Sequence, residues 1–250
     1  MEFVRIADIK RLNFIIDTLR KNLPDGAEVL DVGCGNGVIS RSLGAVGFNV
    51  RGIDISDKTI ARAKELNKYP NVRFEVVSAE QLVADGQRYH AVICSEVLEH
   101  LNEPGKLLSV LHEVLTEEGT LIVTVPNGKG ARERFVTKPI ISMQKKNNWV
   151  WRFVQKVKSL FGYKGTTAQS SADDLTHIQF FTRKTLTELA DTHRFSIVKY
   201  GKTNFVEDVF PFSLLTRKLK FLQKWDCAVA EILPYSFTGG FVTVWQKKTS

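Results

Sequence analysis

Residues 29–37 read VLDVGCGNG, and residues 52–56 on the next apolar segment read GIDIS. The apolar first half of residues 29–37 predicts a buried strand, and the glycines after it predict a turn that leads into a helix. Glycines in such a turn let a ligand approach the main chain closely. Asp54 ends the next predicted strand, 21 positions after Gly33. At that spacing in a βαβ unit, a carboxylate can accept hydrogen bonds from both hydroxyls of a ribose.

The spacing of the glycines separates two classes of nucleotide-binding turn. They follow G-x-G-x-G, so Val38 stands where a dinucleotide-binding turn has its third glycine. Asp31 stands just before the first glycine, where an acid repels a pyrophosphate and attracts the amino group of a methionine-like ligand. These residues resemble motifs I and II of the class I S-adenosylmethionine (SAM) methyltransferases. A turn that merely connects strand and helix does not explain Asp31 and Asp54 at matched strand ends.

The resemblance implies how SAM is held, over the carboxyl ends of the first, second and fourth strands. Main-chain amides near Gly33 and Gly35 are expected to bind the methionine carboxylate at the start of a helix. Asp54 is expected to bind the ribose, and Ile55 to lie against the adenine. Glu80, after the third predicted strand, resembles the acid that meets the adenine amino group. A charge favoured by a helix N-terminus is the alternative interpretation of Glu80.

Short apolar runs alternate with amphipathic segments along the first half of the chain. Strands are predicted from residue 27 and at 49–54, 72–77, 89–95, 120–125, 195–200 and 241–246. Helices are predicted at 8–22, 38–45, 56–67, 80–83, 103–116 and 182–192. With the resemblance, this order predicts an α/β, Rossmann-like class I methyltransferase fold: a seven-stranded, mostly parallel sheet with helices on both faces and an inserted helical lid.

Length and composition indicate one domain spanning residues 1–250. The 250 residues, 43% of them hydrophobic, suffice for one large core. The regular alternation breaks after Gly128, and we interpret residues 129–176 as a basic amphipathic insertion within that domain. No apolar run of about 18 residues predicts a membrane span, and the charged N-terminal segment does not resemble a secretory signal. Three unclustered cysteines indicate free thiols in a reducing cytosol, so we expect a cytoplasmic protein.

The segment SEVLEH, residues 95–100, points to a subgroup. It resembles a segment at this place in the ubiquinone-biosynthesis O-methyltransferases, and Arg11 resembles their N-terminal arginine that contacts the cofactor. The resemblance covers residues 8–127 and resumes weakly at 177–195. It implies that Ser95 touches SAM and that Glu96, Glu99 and His100 hold a magnesium ion. The residues expected to bind SAM are therefore Arg11, Asp31, Gly33, Cys34, Gly35, Asp54, Ile55, Ala79, Glu80 and Ser95.

The metal site and the catalytic base stay open at this stage. Glu96, Glu99 and His100 share one face only if their turn is helical. The same string also occurs in SAM enzymes without a metal, where the histidine is a hydrogen-bonded structural residue. His100 and His177 are the candidates for the base that removes the acceptor's proton. A structural hydrogen bond is the alternative role for each, and some enzymes of this fold use no dedicated base.

The net charge of +8 is concentrated in the insertion, where residues 129–164 hold ten Lys/Arg and one Glu. Within 145–164, aromatic and aliphatic side chains recur at helical spacing among lysines. Such a segment can lie in the headgroup layer of an anionic membrane, or it can cover the active site as a lid. A second amphipathic stretch, 210–225, extends this surface or belongs to the core. The expectation is peripheral association with the inner face of the membrane.

Several function classes compete. The leading hypothesis is O-methylation of a small-molecule or lipid-linked acceptor, a prenylated phenol of the quinone-biosynthesis type. A cell-envelope sugar or glycolipid is the alternative, because the C-terminal half departs from the quinone enzymes. Nucleic acid is disfavoured, since SEVLEH stands where an N-P-P-aromatic signature would hold an exocyclic amine and no RNA-binding module is present. A non-catalytic use of the fold requires a damaged cofactor site, whereas Asp31, Gly33, Gly35 and Asp54 are intact.

Overall fold

The computed structural model describes residues 3, 5–84, 86–130, 178–207, 215–216 and 219–248. Its strands are β1 Glu28–Val32, β2 Asn49–Asp54, β3 Val72–Val76, β4 Tyr89–Ser95, β5 Leu115–Pro126, β6 Phe195–Lys202 and β7 Gly240–Lys247. Its α-helices are α1 Ile6–Asn22, α2 Val38–Ala45, α3 Asp57–Leu66, α4 Pro104–Val114, α5 Arg183–Thr192 and α6 Lys220–Ile232. Short 3₁₀ helices cover Ala79–Val83, Leu98–His100 and Tyr235–Phe237.

The seven strands form one sheet in the order β3-β2-β1-β4-β5-β7-β6. The first five are parallel, and β7 runs antiparallel to both of its neighbours. The predicted seven-stranded, mostly parallel sheet is therefore confirmed. Because β1 lies between β2 and β4, the chain leaves β1 in one direction and later returns on its other side. Ligands bind at such a switch point in open α/β sheets, outside the carboxyl ends of the strands.

Helices cover both faces of the sheet, and each face has its own apolar core. Leu30 and Val32 of β1 pack in the core that also contains the buried leucines of α4 and Leu186 of α5. Val29 points to the opposite core, which Ile15 of α1 shares with side chains of α2 and α3. Alternate residues of a strand point to opposite faces, so a strand covered on both sides needs an unbroken apolar run. That requirement explains the VLDV segment.

The predicted junction between α4 and β5 is wrong at both of its boundaries. The helix predicted to residue 116 ends at Val114, and the strand predicted from 120 begins at Leu115. Leu115 pairs with Tyr89, and a register shift follows between Tyr89 and Ala91. Leu115 is almost fully buried in the sheet core, so its pairing overrides the helical pattern of the preceding residues.

Some predictions fall outside the described residues. They include all of the insertion after Gly130, the candidate base His177, and most of the first half of segment 210–225. Within the described part of the chain, no helix combines the length and the apolar character that a bilayer crossing requires.

Candidate cofactor site

The glycine-rich turn joins β1 to α2 and is fixed by main-chain hydrogen bonds. The amide of Cys34 donates to the carbonyl of Ile53 (3.0 Å), and the amide of Gly37 donates to the carbonyl of Cys34 (2.9 Å). Gly33 and Gly35 have φ values of +65° and +53°, in the left-handed region that favours glycine. A Cβ on Gly33 would lie 2.6 Å from Cγ2 of Val97, whereas a Cβ on Gly35 would meet nothing within 4 Å. The turn is closed against Val97 on one side and open above Gly35.

Asp54 lies at the carboxyl end of β2 and connects this turn to the start of α3. Its Oδ2 accepts a hydrogen bond from the amide of Gly35 (3.0 Å), and its Oδ1 accepts one from the amide of Ser56 (2.9 Å). Each carboxylate oxygen has a further lone pair, so Asp54 can still accept ribose hydroxyls. Ile55, next in the chain, is 81% exposed. The structure therefore brings Gly35, Asp54 and Ile55 together at the switch point, as the sequence predicts.

Asp31 lies deeper than the sequence suggested. It is only 1% exposed, and Ser40 Oγ on α2 donates to its Oδ2 at 2.5 Å. Burial raises the pKa of Asp31 to about 7, although hydrogen bonds from Ser40 lower it. Asp31 thus ties α2 to β1 beneath the turn. Burial and the nearby negative charges of Asp31 and Asp54 raise the pKa of the Cys34 thiol, which keeps this thiol neutral.

The segment after β3 lies beside Asp54, since the amide of Val77 donates to the Asp54 carbonyl (3.2 Å). The short helix Ala79–Val83 begins here, and the amide of Ser78 donates to Oε1 of Gln81 (3.0 Å). Glu80 is exposed, and hydrogen bonds from its own backbone amide and the Ser78 side chain lower its pKa. Both roles considered for Glu80 therefore fit its position at a helix start near the turn.

The SEVLEH segment follows β4 and is joined to α1. Glu96 has a left-handed backbone (φ +58°), and its amide donates to the carbonyl of Thr124 (3.0 Å). Its Oε1 accepts from Thr124 Oγ1 (2.9 Å) and pairs with Arg11 Nη1 (3.0 Å). Ser95 Oγ lies 2.9 Å from the same threonine hydroxyl. Arg11 is held on its other side by Asp8 Oδ1 at 2.9 Å, so α1 brings its guanidinium to the carboxyl end of β4.

The sequence did not single out Thr124 or Asp8 in this cluster. A threonine near the end of β5 and an acid three residues before Arg11 are the signals that could have indicated them.

Glu99 is a buried carboxyl group beside this cluster. It is 1% exposed, and neither oxygen has a hydrogen-bond partner among the described residues. Burial, with the negative charge of Glu96 second, raises the pKa of Glu99 to about 9. The carboxyl is therefore protonated at neutral pH. Its main-chain carbonyl accepts from the amides of Ile178 and Gln179 (2.8 and 3.0 Å), which ties the segment after the insertion to this site.

The expected magnesium site is not formed. In the described part of the chain, no three His, Cys, Asp or Glu side chains converge as metal ligands. The expectation assumed one helical turn through Glu96, Glu99 and His100, but the helical turn covers Leu98–His100 only. Glu96 stands outside it in the left-handed conformation and is paired with Arg11. His100 Nε2 lies 3.8 Å from Glu99 Oε1. These residues do not fit a metal ion as arranged, and no chemical step is derived through one.

A family model described as a methyltransferase domain matches residues 6–200. The chain belongs to this methyltransferase domain family. That match covers the turn, Asp54, SEVLEH and the strands that position them.

Two curated relatives carry the name ubiquinone biosynthesis O-methyltransferase. The mitochondrial protein of Homo sapiens is 33% identical over 131 residues, which cover 47% of this chain and 36% of the relative. The protein of Leptothrix cholodnii is 32% identical over 121 residues, covering 47% of this chain and 51% of the relative. The chain thus matches about half or less of the length of these relatives. The sequence-based resemblance to this group is confirmed.

A solved structure with a similar fold is magnesium protoporphyrin IX methyltransferase from Synechocystis PCC 6803 with bound S-adenosylhomocysteine (SAH). Its TM-score is 0.57 at 20% identity, over 98% of this chain and 84% of that chain. At this identity the likeness concerns the fold, which is the Rossmann-like class I fold of SAM-dependent methyltransferases.

Proposed function

We propose that this protein transfers a methyl group from SAM to an oxygen atom of a small-molecule or lipid-linked acceptor. The observation that carries the proposal is the geometry at the switch point. Asp54 fixes the amide of Gly35 at an open turn, and the exposed Ile55 follows it. A nucleoside with an amino-acid tail requires three features: main-chain amides that no side chain covers, a carboxylate that binds the ribose, and an apolar surface for the base.

SAM supplies an electrophilic methyl group on a sulfonium, and SAH leaves when an acceptor oxygen displaces it. The amides of the turn bind the methionine carboxylate, Asp54 binds the ribose and Ile55 covers the adenine. Arg11, Ser95 and Glu96 form the wall at the end of β4 and exclude water from the reacting atoms. The acceptor hydroxyl loses its proton to His100, whose ring lies beside Glu99. His177 is the second candidate for this base.

The acceptor we propose is a prenylated phenol of the quinone-biosynthesis type. The names of the curated relatives and the SEVLEH segment support it. A cell-envelope sugar or glycolipid is the second candidate, because the curated relatives match only 47% of this chain. No magnesium ion belongs to the proposal, since the three candidate ligands do not converge.

A membrane partner is supported by the exposed face of α6. Phe221 is 65% exposed, Trp225 56% and Ile232 87%, and their spacing of i, i+4 and i+11 places them along one side of the helix. Lys220 and Lys224 are exposed beside them. Apolar and aromatic side chains flanked by lysines suit the headgroup region of an anionic bilayer. We therefore propose that the protein acts in the cytoplasm, peripherally on the inner face of the membrane.

Methyl transfer can be followed with SAM that carries a tritiated methyl group. The purified protein is incubated with cell extract, which is then separated into lipid, soluble small-molecule and RNA fractions. The proposal expects label in the lipid or small-molecule fraction, and much less label with Asp54→Ala, because that variant binds SAM more weakly. Label in RNA alone, or no label in any fraction, would contradict it.

A further inference from the structure

A second concave site lies next to the proposed cofactor site. It is a cavity of about 270 Å³, bordered among the described residues by Asn127, Lys129, Arg183, Lys184, Tyr235 and Phe241, among others. Asn127 directly follows β5, and Phe241 pairs with the end of β5 from the adjacent strand β7. Neighbouring strands are about 4.8 Å apart. The cavity is therefore displaced sideways from β4 by one to two strand spacings, about 5–10 Å, on the side away from the glycine-rich turn and beyond the ends of β5 and β7.

Aromatic rings, rather than any acid among the described residues, hold Arg183 in place. Its guanidinium carbon lies 4.8 Å from the ring centroids of both Tyr200 and Tyr235. Stacking of this kind restrains a guanidinium while leaving its N–H donors at the edge. Within the described chain, no ion pair or hydrogen bond engages these donors. An arginine that aromatic rings position, rather than a carboxylate, is available to bind an external anion.

The base of the cavity is fixed by hydrogen bonds and its lining is positively charged, and both features suit an anionic ligand. The buried Asn127 donates its side-chain amide to the carbonyls of Tyr235 (2.9 Å) and Thr238 (2.8 Å), which fixes the base of the cavity. Lys129 and Lys184 add two further cations, and the described lining contains no acid. Lys184 Nζ lies 3.7 Å from Glu188 Oε1, in a pair whose side chains are both largely exposed. An exposed pair of this kind hardly offsets the positive charge.

We propose that this cavity, the anion pocket, binds a phosphate or carboxylate group of the methyl acceptor, with Arg183 as its principal ligand. The inference rests on the proposed methyl transfer, because it assigns the pocket to the acceptor of that reaction. It specifies an acceptor whose anionic group binds beyond the ends of β5 and β7, beside the proposed SAM site. A phosphate would come from a phosphate-linked lipid or sugar, and a carboxylate from a carboxylated phenol.

The test measures binding of three aromatic probes by calorimetry on protein saturated with SAH. Phenyl phosphate and benzoate carry the two anions, and benzamide is a neutral analogue of benzoate. At least one anion should bind saturably, and benzamide should bind more than tenfold more weakly than that anion. The anion that binds more tightly identifies whether the acceptor carries a phosphate or a carboxylate. Equal binding of benzamide and both anions, or no saturable anion binding, would overturn the inference.

Variants assign the binding to Arg183. Arg183→Gln should lower the affinity for the preferred anion roughly 10- to 100-fold. Arg183→Lys keeps the positive charge and should lose less affinity. Arg88→Gln is the matched control, since Arg88 is exposed at the opposite end of β4 and its loss changes the net charge equally. Equal weakening by both glutamine variants would overturn the assignment. SAH affinity should be unchanged in all three, so failure of the pocket and failure of the cofactor site are distinguishable.

Discussion

At the scale of single residues, burial gives two carboxyl groups of the site unusual protonation. The pKa of Glu99 rises to about 9 and that of Asp31 to about 7, in both cases chiefly because burial disfavours the charged form. For Glu99 the positive charge of Arg11 lowers the pKa, but by less than burial raises it. Raised carboxyl pKa values of this size concentrate at functional sites. Asp31 lies near the end of β1 and Glu99 in the short helix after β4, both beside the proposed SAM site.

Asp31 should make stability fall as the pH rises. Between about pH 4 and pH 7 the folded state keeps the Asp31 proton while the unfolded chain releases it. The free energy of unfolding therefore decreases across this range and does not change further above it. Asp31→Asn keeps an oxygen for Ser40 and removes the charge. We expect this variant to be more stable than the wild type at pH 8, by up to about 4 kcal/mol, and to show little difference at pH 4.

Urea unfolding at the two pH values measures this effect. Asp17→Asn, on an exposed position of α1, is the control and should change stability little at either pH. An Asp31→Asn variant that is less stable than the wild type at pH 8 would contradict the account.

Gly35 should matter for the ligand more than for the fold. Gly35→Ala places a side chain at φ +53° in open space, and Gly26→Ala does the same at φ +76° far from the cofactor site. Both should cost about 1 kcal/mol of stability through backbone strain. Only Gly35→Ala should lower the affinity for SAH, at least tenfold, because its methyl group occupies the space above the turn. If the two variants bind SAH equally well in calorimetry, the ligand does not approach Gly35.

At the scale of elements, the position of α1 depends on contacts distant in sequence. Lys10 donates to the carbonyls of Thr203 (3.0 Å) and Cys227 (3.4 Å), and Arg11 pairs with Glu96. The periodicity of α1 predicts a helix and its buried side, but no local pattern shows where the helix docks. The left-handed backbone of Glu96 is likewise set by its bond to Thr124 on a neighbouring strand. For this reason the sequence located the SEVLEH residues and misjudged their arrangement.

The exposed face of α6 predicts binding to vesicles. Trp225→Ser should reduce sedimentation with vesicles that contain anionic lipid by severalfold, since an aromatic ring inserted at the bilayer interface contributes strongly to binding. Val198→Ser removes an exposed apolar side chain from β6 and should change nothing. Vesicles of neutral lipid should bind the wild type weakly. Equal binding of both variants to anionic vesicles would exclude this face of α6.

At the scale of the whole molecule, strand order and cofactor position could be predicted from the sequence because they follow general rules. Apolar runs covered on both faces make a parallel sheet, and the switch point of such a sheet determines where the glycine turn and Asp54 meet. The anion pocket could not be predicted, because Lys129, Arg183 and Tyr235 come together only through the antiparallel β7 and the start of α5. Long-range packing, rather than local pattern, creates that site.

The proposed cofactor, a sulfonium nucleoside, binds between the open turn at Gly35 and the carboxylate of Asp54. Calorimetric titration with SAH tests it most directly, on the wild type, Asp54→Ala and the control Asp57→Ala, an exposed acid three residues later. We expect saturable binding by the wild type and the control, and a loss of roughly 10- to 100-fold for Asp54→Ala. No binding by the wild type, or equal affinity in all three proteins, would contradict this expectation.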